Sequence, residues 1–329
     1  MTDSLRRLCR RIGLAITFVL AASAAPVVAK PCVSNCLKPG DYKVVTLHNL
    51  TPRTYWVHVP ASYTGERDVP LLIDYHGGTK YGWNERGASG QLAESDRRGF
   101  IAVWPDGIGL TWNGYGCCGP ATDLKTDDVG FSRQLIYAMK ARAAIDDDRV
   151  FVTGISNGGA MAHRMACEAA DLVRAAAPVA YSLHTDQCRP SRPVHVTAFI
   201  GTADFQYEGV PGDDLGSKIF GLTDPVLALL PLPPKSKAPT ARESFAMWKG
   251  INGCSDALAR TQLPAGTRYD GSRWEEYQTC AGGVRTGLVT VVNGPHILYN
   301  GYVDPIFGGD PDRAPIDLAP WMWDNVFNM

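Results

Sequence analysis

Beyond its first dozen residues the chain has no block of basic side chains, and 32 Lys and Arg against 33 Asp and Glu leave a formal charge of only −1. Binding to nucleic acid through phosphate neutralisation is therefore excluded. Charged residues make up 20% and hydrophobic ones 45%, which excludes a largely disordered chain and leaves a globular protein. There is no C-x-x-C pair and no H-E-x-x-H, so no metal is expected. Internal repeats and low-complexity tracts are also missing. A single long apolar run occurs, Ile12 to Ala25, and it is short for a membrane span.

That run has its own explanation. Arg6, Arg7, Arg10 and Arg11 precede it, and small residues with Pro26 follow, which is the layout of a secretory signal peptide. The expected signal covers residues 1–29, with Val27 three residues before the cut at Ala29 and Ala24 as the rival site. Residues 30–329 are then one catalytic domain, secreted or periplasmic, with no stable membrane insertion once the signal is gone. Removal of residues 1–29 takes away four arginines and Asp3, so the mature charge is −4. It also takes Cys9 from the nine cysteines. Cys32, Cys36, Cys117, Cys118, Cys167, Cys188, Cys254 and Cys280 remain, an even count that reads as up to four disulfides of open connectivity.

Short β-branched and aromatic runs then alternate with helical patterns. Thr54 to Val59, Pro70 to Tyr75, Phe100 to Trp104, Arg149 to Thr153, Ala175 to Ala180, Val194 to Ile200 and Gly287 to Val292 read as buried strands. Gly90 to Arg98, Val129 to Ala144, Asn157 to Leu172 and Ala241 to Ile251 read as helices. The alternation predicts an α/β fold with a mostly parallel central sheet, helices on both faces, and ligands beyond the carboxyl ends of the strands. One segment departs from it. Residues 209–239, with KIFGLTDPVLALLPLPP, are too proline-rich for a helix and too apolar for a solvated loop, so a lid-like insertion is expected there.

Chemistry enters at Gly154-Ile155-Ser156-Asn157-Gly158, a G-x-S-x-G directly after a strand and before a helix. In that context the serine sits on a sharp turn that needs small residues two positions either side, and it is read as a nucleophile. A serine hydroxyl needs an imidazole to take its proton and an acid to orient the ring, in the chain order Ser, acid, His. Only His296 follows residue 195, which leaves His48, His58, His76, His163, His184 and His195 as core, surface or loop residues. Asp204 ends the strand before it and is the expected acid; Glu208, Asp213 and Asp214 lie further into the loop. The backbone N–H of Asn157 should supply one oxyanion donor. The second should come from His76-Gly77-Gly78-Thr79, with Gly78 preferred over Thr79 and His76 bracing the loop.

These residues resemble the secreted poly(3-hydroxybutyrate) depolymerase and feruloyl or acetylxylan esterase group within the α/β-hydrolases. The resemblance rests on HGG at 76–78, WPDG at 104–107, Trp112-Asn113, Gly116-Cys117-Cys118-Gly119, Asp127 to Phe131, RVFVTGISNGGAMAHRMACE at 149–168, GTAD at 201–204 and the Trp248 to Cys254 stretch. It implies an α/β-hydrolase fold, a cofactor-free esterase, an ester as partner and a Cys254–Cys280 disulfide. Two stretches depart from the group's pattern, Phe205-Gln206-Tyr207 after the acid and Ile297-Leu298-Tyr299 after the histidine, so acyl or leaving-group preference should differ. Trp112, Tyr115, Phe205, Tyr207 and Tyr299 are candidates to stack on an aromatic acyl group or a sugar ring. With no further module after Trp323, a soluble feruloyl, acetyl or hydroxyalkanoate ester is favoured over solid polymer. The alternatives are a depolymerase acting on polymer, a polymer amidase with the same triad, and an inactive hydrolase fold that only binds.

Overall fold

The computed structural model describes residues 36–115, 119–209, 238–264, 267–304, 308–309 and 315–328. The expected signal peptide, Cys32, Cys117, Cys118 and all but the ends of the 209–239 insertion lie outside them. Ten strands form the central sheet: β1 (Gly40–His48), β2 (Thr51–Val59), β3 (Val69–Tyr75), β4 (Ile101–Pro105), β5 (Ile145–Ile155), β6 (Ala175–Val179), β7 (His195–Gly201), β8 (Leu258–Gln262), β9 (Arg273–Tyr277) and β10 (Thr286–Val291). Their spatial order is β1-β2-β4-β3-β5-β6-β7-β10-β9-β8. The six strands from β4 to β10 run parallel, and antiparallel strands close both sides.

Burial explains which strands the sequence announced. Every residue of β4, β6, β7 and β10 is buried, as a parallel strand covered on both faces requires, and such strands read as unbroken apolar runs. The edge strands differ. β1 alternates between exposed and half-buried positions, and β8 is exposed along nearly its whole length. β9 reads RWEEY, and its Glu275 is tolerated in the interior because Arg242, Arg260 and Arg273 surround it.

Helices cover both faces: α1 (Gly82–Ala88), α2 (Gln91–Arg98), α3 (Pro120–Asp123), α4 (Asp128–Arg142), α5 (Asn157–Glu168), α6 (Ala241–Ile251) and α7 (Leu318–Asn325). Helix α6 begins where Thr240 and Glu243 cap each other reciprocally, at 3.1 and 2.7 Å. On one face α4 and α5 supply Phe131, Leu135, Met161 and Met165 to a core that Trp248 of α6 completes. On the other, Trp323 of α7 stacks on Phe100 at 3.9 Å, with Phe327 and Phe151 beside it. Helix α5 ends at Glu168, four residues short of the expected Leu172, because Ala169 leaves the helical conformation.

One buried ion pair ties the first hairpin to the loop that precedes α4. Arg53 of β2 meets Asp128 at 2.8 Å, both almost fully buried, and the guanidinium lies 3.9 Å over the Phe131 ring. The other carboxylate oxygen of Asp128 accepts from Asn113 N–H at 2.9 Å and Thr126 Oγ1 at 2.7 Å. Removing one member of such a pair strands the other charge. Arg53→Met is therefore expected to cost about 3–5 kcal/mol of stability, read as a lowered midpoint in urea unfolding.

Four imidazoles are held neutral. Burial pushes His76 and His184 down to about 4, and His163 and His195 down to about 3. Below about pH 6.5 the unfolded chain binds these protons and the folded chain does not, so stability falls as pH falls toward 4. Burial raises Asp74 to about 7 and also raises Asp106 and Glu276, which act oppositely in the same range, but three carboxyls oppose four imidazoles. The urea midpoint is expected to be lower at pH 5 than at pH 7.

Candidate active site

Ser156 joins the end of β5 to the start of α5 with φ 57° and ψ −122°, a conformation that side-chain-bearing residues rarely adopt. Its N–H donates to the Val179 carbonyl of β6 at 2.9 Å, and its own carbonyl takes the first helical bond, from Ala160, at 3.0 Å. The turn closes only because glycines flank it. A Cβ on Gly154 would stand 2.5 Å from the Tyr75 carbonyl oxygen, and one on Gly158 would overlap that same oxygen and lie 2.6 Å from the His76 carbonyl. The serine thus projects from the carboxyl edge of the sheet at the positive end of α5.

Two further strands bring the remaining groups to this edge. Asp204 follows β7 and His296 follows β10, and the two loops are stitched together before either residue is reached. Thr202 N–H donates to Val291 O at 2.9 Å, Ala203 N–H to Gly294 O at 3.0 Å, and Asn293 N–H to Thr202 Oγ1 at 2.8 Å. Gly201 and Gly294 pass so closely that a Cβ on Gly201 would overlap the Gly294 carbonyl. In consequence His296 Nδ1 lies 3.0 and 2.9 Å from the two oxygens of Asp204, whose side chain is wholly buried. The carboxylate can only accept, so the ring proton sits on Nδ1 and Nε2 carries the lone pair. Asp204 Oδ1 also accepts from Gln206 N–H at 2.8 Å.

The loop after β3 supplies the facing wall. The α-carbon hydrogens of Gly77 face Ser156, where a Cβ would lie 3.7 Å from that of the serine. Thr79 N–H is committed to Leu110 O at 2.9 Å, and Thr79 Oγ1 donates to Gly78 O at 2.6 Å. His76 is fully buried: Nδ1 donates to Gly77 O at 2.7 Å and Nε2 accepts from Gly107 N–H at 2.9 Å, so the neutral ring fixes the loop. Asn157 clamps Trp112 from both sides, its Oδ1 accepting from Trp112 N–H at 2.6 Å and its Nδ2 donating to Trp112 O at 2.9 Å.

Two of the five aromatic candidates, Trp112 and Tyr299, are fully buried, and a third, Tyr115, is half-buried. Trp112 is fully buried, and its indole N–H donates to His76 O at 3.1 Å. Tyr299 is fully buried with its hydroxyl on Pro295 O at 2.8 Å, bracing the histidine loop. Tyr115 lies under the Arg164 guanidinium beside Glu168, toward the far end of α5. Phe205 does lie at the site, stacked on the His296 ring at 4.4 Å, and the half-buried Tyr207 hydroxyl accepts from Arg242. The close approach of Gly201 to Gly294 escaped the sequence reading; glycine at the end of each strand was its signal.

Disulfides join Cys254 to Cys280 and Cys167 to Cys188, and Cys36 is also disulfide-bonded. Among the described residues no group of His, Cys, Asp or Glu could hold a metal ion, and no helix is long and apolar enough to cross a membrane.

A mostly parallel sheet in this strand order, with a serine at the β5–α5 turn, has the α/β-hydrolase fold. Acetyl xylan esterase from Aspergillus awamori shares it, with a TM-score of 0.53 at 14% identity over 79% of this chain and 94% of that one. No protein-family model matches the sequence. Feruloyl esterase B of Piromyces equi is 32% identical over 256 residues, covering 73% of this chain and 42% of that protein. Poly(3-hydroxyalkanoate) depolymerase C of Paucimonas lemoignei is 30% identical over 173 residues, 50% of this chain and 38% of that protein. The chain is a relative of these ester hydrolases and spans less than half the length of either.

The crowding at Gly158 can be tested directly. Gly158→Ala is expected to cost about 1–3 kcal/mol or more in urea unfolding through overpacking against backbone. Gly250→Ala in α6, where a Cβ meets nothing within 4 Å, is expected to stabilise by about 0.5–1 kcal/mol.

Proposed function

We propose that the protein is an exported serine esterase that cleaves carboxylic esters through an acyl-enzyme. The observation that carries this is the pairing of His296 Nδ1 with both oxygens of Asp204, on the sheet edge where Ser156 projects. His296 Nε2 takes the proton from Ser156 Oγ as the oxygen attacks the ester carbonyl. The backbone N–H groups of Asn157 and Gly78 hold the oxyanion, and Asp204 stabilises the imidazolium that forms. His296 then protonates the departing alkoxide; water enters, gives its proton to the ring and releases the acid, restoring Ser156.

No step calls for a cofactor. The relatives support feruloyl or acetyl esters of plant polysaccharide, or hydroxyalkanoate oligomers, as the substrate class. Phe205, half-buried and stacked on the His296 ring, is the surface on which an acyl or leaving group would rest. The disulfides among the described residues support export.

Hydrolysis of methyl ferulate, acetylated xylan and a 3-hydroxybutyrate trimer should be compared side by side, with active-site labelling by a fluorophosphonate. Ser156→Ala is expected to lose at least about 10⁴-fold in kcat and all labelling, and Asp204→Asn about 10⁴-fold in kcat. A chain that neither hydrolyses these esters nor labels is a hydrolase fold that only binds.

A further inference from the structure

Next to the triad lies a buried polar cluster that the mechanism does not use. Gln206 is wholly buried, its backbone N–H holds Asp204 Oδ1 at 2.8 Å, and neither Nε2 nor Oε1 of its side chain has a hydrogen bond. His184, on the loop after β6, has an Nε2 that is likewise buried and unbonded. The other nitrogen of that ring, Nδ1, lies 2.9 Å from the hydroxyl of the buried Tyr181, whose ring centre is 4.4 Å from the imidazole. Burial pushes His184 down, and the Gln206 side chain acts against it as a hydrogen-bond partner would, although neither group meets strict hydrogen-bond geometry. Ser182 Oγ, from the same loop, reaches the Gln206 carbonyl at 3.5 Å.

Leaving a buried amide and a buried imidazole nitrogen unbonded is costly for each group, and such groups call for a reason. The lone pairs supply one. The Tyr181 hydroxyl can donate to Nδ1, which places the His184 hydrogen on Nε2, and the Gln206 amide offers it a carbonyl oxygen.

We propose that His184 and Gln206 form a brace behind the catalytic acid: His184 Nε2–H donates to Gln206 Oε1, fixing the residue whose backbone N–H holds Asp204. Gln206 is then a positioning residue. It acts on His296 through Asp204 and through Phe205, which stands between residues 204 and 206 and stacks on the histidine ring. Three consecutive residues thus orient one imidazole, by its edge and by its face, and the brace anchors their far end. The proposal rests on the reading of Ser156, Asp204 and His296 as a triad.

Steady-state hydrolysis of p-nitrophenyl acetate tests it, together with the downfield proton resonance of His296 Nδ1–H. Gln206→Met removes the polar atoms at nearly constant volume, and His184→Phe removes the donor from the other side. Each is expected to lower kcat about tenfold, the size of one lost hydrogen bond, with KM within about twofold and the resonance shifted or broadened. The double variant should be no worse than the poorer single, because the two residues act as one unit. His184→Gln, which keeps a donor facing residue 206, should retain at least about half of kcat. If Gln206→Met does not fold, His184→Phe with its His184→Gln counterpart carries the same comparison.

Lowered thermal stability with kcat and the resonance unchanged would overturn the brace, as would losses that add in the double variant. If wild-type protein fails to label at Ser156 with a fluorophosphonate, the triad reading falls and the brace with it. Labelling with unaffected variants rejects the brace alone.

Discussion

The turn at Ser156 depends on two places where no side chain stands. Strain of about 1–3 kcal/mol at a non-glycine residue with positive φ persists only where the surroundings leave no alternative. Here they leave none: the backbone of β3 passes within overlap distance of where Cβ atoms at 154 and 158 would be, and the serine N–H is pinned to β6. Ser156 is therefore placed by main-chain contacts among three strands. Its orientation belongs to the sheet, and side chains around it serve mainly to keep neighbouring loops in contact with that sheet.

A second theme is the use of histidine as a neutral ring with one donor and one acceptor. His76 donates to Gly77 and accepts from Gly107, and His163 accepts the Trp248 indole N–H at 3.0 Å. His296 instead donates from Nδ1 to Asp204, on the sheet edge where Ser156 projects. The others show that burial alone keeps an imidazole uncharged here, and what sets His296 apart is a carboxylate held by a stitched pair of loops.

The strands and helices that the sequence revealed are those buried on two faces or capped by a readable motif. Val194 to Ile200 and Ala241 to Ile251 come within a residue or two of β7 and α6, because unbroken apolar runs and a Thr240–Glu243 box leave little choice. β8 and β9 stayed hidden because LARTQ and RWEEY have no apolar face, their pairing being satisfied by backbone and by the arginines around Glu275. At the site, residue types and chain order pointed to Ser156, Asp204 and His296, since each follows a legible strand. The aromatic residues were less legible. Trp112 and Tyr299 carry a polar atom that a nearby carbonyl engages, and composition cannot tell an indole that faces a substrate from one that faces the main chain.

The two disulfides whose partners are both described, Cys167–Cys188 and Cys254–Cys280, lie toward the opposite edge of the sheet from Ser156. Cys167 lies near the end of α5, whose first turn holds Ser156, and Cys280 lies before β10, whose far end leads to His296. With partners 21 and 26 positions apart in sequence, each closes a loop worth about 3 kcal/mol of chain entropy. These cross-links thus form a floor, and Ser156, Asp204 and His296 stand on a roof held by contacts between strands and loops that involve no cysteine. Oxidative folding can tighten the floor without touching the alignment above it, so durability and turnover are tuned by separate parts of the same sheet.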